Sequence, residues 1–474
     1  MIPSAFRQFL FLSLLIPAAF IAPWPARADE PTPAVPTTLA QEPYTIPNLG
    51  LSFLPPEGSI IDLSRIEGGR TTVVIAPQDK QHSFVFQVMQ SISADRSLEL
   101  SEAVKNIVDQ RRTFHTGKNQ RGRSVSTVRV FDTDDNLLIG QHPAQRVYLD
   151  VPLDTTVPVT GYTVFHTGPG QFVIFQMDCP VSLFPKVRSL YELMIASAEF
   201  KDPEALGTER ATALLAGRAL LERFNSSDFE AALDKEPVYY RLYRPNPTGS
   251  DEFDEEVGYQ RVQIVAGVAG DLDPAKPEQR RTTADRQPGY LTRVEARALA
   301  SGAVVDSVSL YFLSADRTTE LWSITMAVRK GNKTEQWVET GIRRDDRLTV
   351  KTTHSGEEPT NADWSPIPES YLSRVESYLL PRLVARAGMS GVFGFYTYDS
   401  TLAKMTLRRE TFAASDKSAY IMTSLASENS RPTTTELDAQ GRIIRRVNAD
   451  GQIMEPIDQP RLKKLWTNKK LPLE

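Results

Sequence analysis

The sequence predicts an α+β protein, in which an N-terminal α/β/α sandwich with an antiparallel sheet is followed by a mainly antiparallel β domain with a helical insert. Segments of alternating hydrophobicity recur through most of the chain, and two amphipathic helices interrupt them in the N-terminal half. The links between strands are too short for parallel crossovers, so the sheets should be antiparallel. The length of 474 residues predicts two or three domains.

Composition argues against several classes of protein. The 54 basic and 59 acidic side chains give a net charge of −5, without the clustered basic excess that a nucleic-acid partner needs. The single cysteine leaves no intramolecular disulfide and no Cys-rich metal site. We therefore expect no nucleic-acid partner, no metal and no cofactor.

The N-terminus has the pattern of a secretory signal peptide. A head with Arg7 precedes an apolar run at 9–22, and Ala26 and Ala28 form an A-x-A cleavage site. The run contains Pro17 and is shorter than the ~20 apolar residues of a membrane span. We expect cleavage after Ala28, a secreted or periplasmic address and no membrane span in the mature chain. An exported chain with one cysteine fits a bacterial envelope.

Periodicity and composition divide the chain into five segments. The segment after the signal carries four prolines and no hydrophobic period, which is typical of an extended spacer. The segments are a signal peptide at 1–28, a Pro-rich disordered spacer at 29–43, an α+β domain at 44–203, a helical connector at 204–236 and an antiparallel β domain at 237–474, with a helix at about 368–387.

In the α+β domain, short strands precede an amphipathic helix at 98–114, four strands follow, and a second helix at 183–200 closes the domain. Several of its segments form a recognisable pattern. They are Gly50-Leu51-Ser52-Phe53 leading into Pro55-Pro56-Glu57-Gly58, the strand pair around Phe84, the helix after Ser97-Leu98, Ile139 to Ala144 before a strand, the aromatic strands at Tyr162 and Phe172, and the closing Ser197-Ala198-Glu199-Phe200. This pattern resembles the PsbP-like family. The resemblance implies an α/β/α sandwich that binds other proteins rather than catalysing a reaction.

The β domain shows one apolar and one mostly small or polar face in the strand at 321–328, so one face should be core and the other solvated. Its helical insert contains Pro381, which should kink the helix, and ends at Gly388, which should cap it. The simplest packing is a curved antiparallel sheet with this helix against its concave face. That arrangement resembles the periplasmic lipoprotein carriers.

No sequence motif predicts a catalytic site. No two of the five histidines have the i, i+2 or i, i+4 spacing of a metal site. The segment 132–136 begins like a calcium loop, but Leu137 stands where glycine is required, so we expect a hairpin turn. The segment 388–392 resembles a nucleophile elbow with its second glycine one place early, so it should be a helix cap and turn. Cys179 should be a small buried residue.

Two surfaces are candidate binding sites. A basic patch after the first helix could meet an anionic partner, or could be a solvated loop near helix carbonyls that favour cations. It consists of Arg111, Arg112, Lys118, Arg121 and Arg123. An apolar face of the β domain could hold an apolar ligand, or could form only the core of the sheet. It consists of Trp322, Ile324, Met326, Phe393 and Phe395.

Taken together, these features predict an exported bacterial envelope protein that is a non-enzymatic binding or assembly module, with an envelope protein or an apolar ligand as its partner. Two alternatives stay open, namely a hydrolase with a cross-strand Asp/Glu/His site and a purely structural envelope scaffold. An interior pocket of about 300 Å³ or more would favour a carrier. Two titratable side chains that converge in a cleft would favour the hydrolase.

Overall fold

The computed structural model describes residues 35–65, 71–78, 84–114, 116–118, 124–151, 158–234, 236–246, 252–300, 302–427, 430–448 and 450–472. Two large antiparallel sheets and a set of helices make up this part of the chain, which confirms the α+β class. The chain divides into two compact units between residues 209 and 210. We call the described residues up to Glu209 the N-terminal unit and Arg210–Glu474 the C-terminal unit.

The helices are α1 (Leu100–Phe114), α2 (Phe184–Ala196), α3 (Pro203–Arg223), α4 (Ser226–Ala231), α5 (Arg374–Arg386) and α6 (Gln459–Asn468). The strands of the N-terminal unit are β1 (Tyr44–Ile46), β2 (Leu51–Phe53), β3 (Ser59–Arg65), β4 (Thr71–Pro77), β5 (Val85–Ile92), β6 (Thr116–Lys118), β7 (Ser124–Ser126), β8 (Arg129–Ile139), β9 (His142–Asp150), β10 (Pro158–Gly168), β11 (Gln171–Pro180) and β12 (Glu199–Phe200). Those of the C-terminal unit are β13 (Val238–Arg244), β14 (Glu255–Val268), β15 (Pro288–Ala300), β16 (Ala303–Ser314), β17 (Thr319–Lys330), β18 (Lys333–Arg344), β19 (Arg347–His354), β20 (Thr360–Trp364), β21 (Gly391–Asp399), β22 (Lys404–Ala414), β23 (Tyr420–Leu425), β24 (Thr433–Leu437), β25 (Ile443–Val447) and β26 (Ile453–Pro456). Of the helices in the described ranges, none has both the length and the apolar composition needed to cross a membrane.

The N-terminal unit is an α/β/α sandwich, as the sequence predicts. Its main sheet has seven antiparallel strands in the order β3-β4-β5-β11-β10-β9-β8. Alternate side chains of β11 lie on the two faces of the sheet, because successive residues of a strand point to opposite sides. Phe172 and Ile174 pack with Val104 and Val108 of α1, whereas Phe175 packs in the core that contains α2.

The prediction of a hairpin turn at 132–136 is wrong, because these residues lie inside β8. A register shift between Asp134 and Leu137 marks a β-bulge, and the turn to β9 is formed at Gly140 with a φ of 60°. A bulge interrupts the alternation of side chains in the same way as a turn does. β8 is an edge strand, where bulges and charged side chains prevent pairing with other chains.

Residues 38–40 lie in the segment expected to be an extended spacer. Ala40 N donates a hydrogen bond to Pro55 O at 2.8 Å, and Glu57 N donates to Thr38 O at 3.0 Å. Leu39 packs against the core that α2 covers. This stretch is therefore held against the N-terminal unit by backbone pairing and apolar contact.

The C-terminal unit is built on a 14-stranded antiparallel sheet in the order β20-β19-β18-β17-β16-β15-β14-β13-β26-β25-β24-β23-β22-β21. β13 pairs with β14 on one side and with β26 on the other, so the last strand of the chain joins the first strand of the unit. The two edge strands approach each other, since the rings of Trp364 on β20 and Tyr398 on β21 have centroids 5.2 Å apart. The sheet therefore curls around an enclosed inner face.

Helix α5 lies against this inner face. Val375, Leu379 and Leu383 of the helix belong to the same core cluster as the inner residues of the sheet. The helix begins six residues later than the expected position 368, because Ser373 forms a capping box with Glu376 and Leu372 N donates to Tyr396 O of β21 at 2.9 Å.

Candidate functional site

A cavity of about 230 Å³ lies between α5 and the inner face of the curled sheet. Among the residues that line it are four arginines, whereas the lining contains no carboxylate, imidazole or thiol from the described part of the chain. The formal charge on the cavity wall is therefore positive. The four arginines are Arg374, Arg382, Arg408 and Arg446.

Three of these arginines have a carboxylate partner that lies behind the cavity wall. The Glu339 and Glu410 side chains are fully buried, and Asp234 is also largely inaccessible. Such pairing offsets part of the cost of burying a guanidinium. The pairs are Arg374 with Glu339 at 3.4 Å, Arg382 with Asp234 at 2.8 Å and Arg408 with Glu410 at 2.5 Å.

Arg446 differs from the other three. Its Nε donates to Thr435 Oγ1 at 3.2 Å, and no carboxylate of the described ranges comes within ion-pair distance of it. Burial lowers the pKa of the Arg446 guanidinium, and the like charge of Arg408 lowers it further, whereas Tyr240, Glu410 and Tyr378 act in the opposite direction. Arg446 thus presents to the cavity a positive charge that has no carboxylate at ion-pair distance among the described residues.

Two tyrosine hydroxyls accompany this charge. Tyr240 of β13 and Tyr378 of α5 line the cavity, and neither hydroxyl has a hydrogen-bond partner among the residues that the structure describes. Burial raises the pKa of both phenols; Arg382 and Arg446 oppose that rise in Tyr240, and Arg446 opposes it in Tyr378. We call Arg446, Tyr240 and Tyr378 the donor triad.

Sheet register brings the basic residues to the inner face. Arg408, Glu410 and Phe412 alternate along β22, so all three side chains point to the same side as the buried Phe412. Arg446 lies directly opposite Thr435 on β24, which explains their hydrogen bond. A strand whose inner positions are Arg, Glu and Phe is unusual, since inner positions are normally apolar.

The opposite end of α5 contains a polar network around Glu339. Its Oε1 accepts hydrogen bonds from Trp322 Nε1 at 2.9 Å and from Ser400 Oγ at 2.6 Å. The Arg374 guanidinium lies over the Trp322 ring, 4.8 Å from its centroid, and over the ring of Tyr398 at 5.6 Å. This combination of counter-ion and aromatic rings stabilises a buried cation.

A second buried carboxylate, Glu320, fixes the start of α5. It accepts hydrogen bonds from Tyr371 OH at 2.9 Å and from the backbone N of Arg374 at 2.7 Å. Burial raises the pKa of Glu320, and the nearby Arg343 opposes this shift. Neither Glu320 nor Glu339 lines the cavity, so both act as supports of the helix and its arginine.

The five residues of the expected apolar-ligand face are all in the core of the C-terminal unit. None of them is more than 5% exposed, and none is among the residues that line the cavity. They are Trp322, Ile324, Met326, Phe393 and Phe395. In this structure they fill space between the sheet and its helices.

The expected basic patch is only partly described. Arg111 of α1 donates from Nε to the hydroxyl of Tyr162, and the exposed Arg112 pairs with Asp109 at 3.4 Å. Lys118 lies in β6, and its side chain is outside the described part of the structure. Arg121, Arg123 and the cleavage-site residues Ala26 and Ala28 also lie outside the described residues.

A buried thiol and an open surface cleft lie outside this cavity. Cys179 is buried, and burial raises the pKa of its thiol to about 12, so it has none of the thiolate character of a nucleophile. An open cleft of about 590 Å³ lies beside Arg223, Asp228 and Arg386 on the surface of the C-terminal unit. No group of three or more potential metal ligands occurs in the described ranges.

No family model and no curated protein matches this chain. Several solved structures resemble parts of it, including the following two. The solution structure of the cyanobacterial PsbP (CyanoP) from Synechocystis sp. PCC 6803 is 14% identical, covering 37% of this chain and 99% of that chain with a TM-score of 0.26. The β-barrel-like protein of the domain of unknown function DUF1849 from Brucella abortus is 12% identical, covering 47% of this chain and 98% of that chain with a TM-score of 0.29.

The first of these structures bears the name of the family that residues 44–203 resemble. At TM-scores below 0.5, the function of this chain has to be inferred from its own residues.

Proposed function

We propose that this chain is an exported, non-enzymatic binding module whose C-terminal unit holds a small anionic ligand in the cavity beside α5. The observation that carries the proposal is the position of Arg446, which faces the cavity without a carboxylate partner in the described part of the chain. The other three cavity arginines each have one.

The Arg446 side chain is only partly exposed and carries a charge without an ion-pair partner in the described ranges. Removing an ion from water costs several kcal/mol unless a counter-charge and hydrogen bonds compensate for it. An anion bound at Arg446 would supply that counter-charge, and it would accept hydrogen bonds from the hydroxyls of Tyr240 and Tyr378. A hydrogen bond to a charged group contributes about 1.5–3 kcal/mol.

An anion fits the cavity better than the wholly apolar ligand expected from the sequence. The cavity is about 230 Å³, below the roughly 300 Å³ at which drug-sized pockets begin. Its wall carries four guanidinium groups, which an apolar ligand would leave without compensation. The expected apolar face supplies the core around this cavity rather than its lining.

The donors at the cavity wall also favour binding over hydrolysis. A hydrolase needs a general base within hydrogen-bond reach of its substrate. The described lining residues offer cationic and hydroxyl donors, whereas the nearest buried carboxylates are engaged by Arg374 and Arg408. We therefore place this chain among binding proteins.

The proposed address is the bacterial envelope, on the basis of the signal pattern that ends at Ala28. Expression of the full chain in a bacterium, followed by periplasmic extraction and N-terminal mass analysis, tests it. We expect a mature chain that begins at Asp29. Recovery of the uncleaved chain from the cytoplasm would refute export.

Native mass spectrometry of the purified full chain tests the binding function. We expect a non-covalent anionic adduct with one molecule per chain, which the Arg446→Met variant lacks. An Arg445→Met variant serves as the control, because Arg445 neighbours Arg446 in β25 and pairs with Glu436 at 3.6 Å at the surface. An adduct that survives Arg446→Met, or a chain that binds no anion from an acidic metabolite extract, would refute the proposal.

A further inference from the structure

We infer that the ligand is a small organic monoacid, with its acid group at the donor triad and an apolar body in the rest of the cavity. This inference rests on the proposed function and narrows the class of ligand. It follows from the volume of the cavity, from the number of lining guanidiniums without an ion-pair partner in the described ranges, and from the apolar side chains that line the cavity.

The volume sets the size of the ligand. A dry cavity of ~150 Å³ holds a benzene molecule with six heavy atoms. By the same ratio, the cavity of about 230 Å³ holds roughly nine heavy atoms. Phosphate or sulfate alone would leave much of this space unfilled, and a fatty acid of membrane length would not fit.

The charge sets the ionisation state of the ligand. Three of the four lining guanidiniums have carboxylate partners, so Arg446 leaves one positive charge to be balanced. A planar guanidinium can donate two parallel N–H hydrogen bonds to the two oxygens of an acid group. The hydroxyls of Tyr240 and Tyr378 line the same cavity and supply two further donors for an oxyanion.

Apolar side chains line the cavity beside the charged ones. Val262 and Ile264 of β14 face the cavity, as do Ile443 of β25 and Met454 of β26. Arg446 is also on β25, three strand spacings of about 4.8 Å from β14, because β26 and β13 lie between these strands. A ligand whose acid group lies at Arg446 therefore meets apolar side chains with the rest of its body.

The cavity wall is closed at one point. A Cβ added at Gly441, in the turn between β24 and β25, would come within 2.3 Å of Pro381 O of α5. Gly441 and Pro381 both line the cavity. A ligand therefore has no room to extend between this turn and the helix.

Isothermal titration of the full mature chain with four probes tests this inference. Sodium benzoate and sodium hexanoate carry an acid group on an apolar body, inorganic phosphate lacks the body, and benzyl alcohol lacks the acid. We expect at least one of the two monoacids to bind with one molecule per chain and at least tenfold more tightly than phosphate or benzyl alcohol. We expect Arg446→Met to weaken that binding by about 10- to 100-fold, while Arg445→Met leaves it unchanged.

The outcomes separate the inference from the function on which it rests. Phosphate that binds as tightly as both monoacids, with the same dependence on Arg446, would refute the organic body and leave an anion-binding protein. Benzyl alcohol that binds as tightly as benzoate would refute the role of the acid group. If every anion bound to Arg446→Met as tightly as to wild type, both proposals would be refuted. Tyr378→Phe provides a milder variant that keeps the ring, and we expect a loss of about 3- to 10-fold in monoacid affinity.

Discussion

Arg408 and Arg446 line the same cavity, yet only Arg408 is hydrogen-bonded to Glu410. The two cations lie near one carboxylate, and Glu410 accepts a second hydrogen bond from Ser424 rather than from Arg446. One of the two guanidiniums is therefore part of the scaffold, and the other is available to a ligand. The same contrast holds between Arg446 and Arg374, whose guanidinium has both a counter-ion and aromatic rings around it.

Removing the charge of Glu339 should destabilise the C-terminal unit strongly. Glu339→Gln leaves the Arg374 guanidinium buried without its counter-ion, and breaking one partner of a buried pair costs about 3–5 kcal/mol. Urea unfolding followed by tryptophan fluorescence measures the loss. The control is Ser400→Ala, which removes the hydrogen bond that Ser400 donates to Glu339 and the one that it accepts from Arg374, and should cost about 1.5–3 kcal/mol. Equal losses for the two variants would show that the ion pair contributes nothing beyond these hydrogen bonds.

Substitution of Gly441 should open the contact between the β24–β25 turn and α5. Gly441 has a φ of 74°, and an added Cβ would lie 2.3 Å from Pro381 O. Gly451 provides a matched control, because its φ is 78° and nothing lies within 4 Å of an added Cβ. In both alanine variants, placing alanine in the left-handed conformation costs about 1 kcal/mol of stability. In Gly441→Ala, the steric clash of the new Cβ costs a further ~1–3 kcal/mol.

Thermal unfolding of the two glycine variants gives the comparison directly. We expect Gly441→Ala to unfold at the lower temperature. If Gly451→Ala were equally destabilised, the close approach of the turn to Pro381 would make no energetic contribution.

Cys179 should make the N-terminal unit less stable at alkaline pH. Burial raises the pKa of its thiol from 9.0 to about 12, so the folded state keeps a proton that the unfolded state loses above pH 9. The stabilisation is complete below pH 9 and is lost as pH rises through 12. Between pH 9 and 10 the loss is about 1 kcal/mol. Cys179→Ala should show a shallower decline over this interval when unfolding is followed by circular dichroism, and parallel curves for the two proteins would contradict the assignment.

The sequence was sufficient for the fold where periodicity is local. In β11, Phe172 and Phe175 are separated by an odd number of positions, so alternation alone predicts that the N-terminal sheet is covered on both faces. The start of α5 could not be predicted as well, because Leu372 is held in an extended conformation by Tyr396, a partner that lies beyond the helix in the chain.

The cavity was not predictable for a related reason. The inner face of β22 carries Arg408 and Glu410 on the same side as Phe412, and this pattern of polar residues at core positions is the one signal that the sequence contains. This pattern does not predict which other elements of the fold lie against the strand. Tyr240 and Arg446 line one cavity because β13 pairs with β26, which joins segments more than 200 residues apart.

The most direct test of this account is the free energy of unfolding of the ligand-free Arg446→Met variant, measured beside wild type and Arg374→Met after denaturing dialysis and refolding. A buried charge whose counter-ion is a ligand destabilises the protein when the ligand is absent. Arg446→Met should therefore be at least as stable as wild type, whereas Arg374→Met should lose about 3–5 kcal/mol of unfolding free energy. A loss for Arg446→Met as large as that for Arg374→Met would contradict the account, because it would make Arg446 a structural residue.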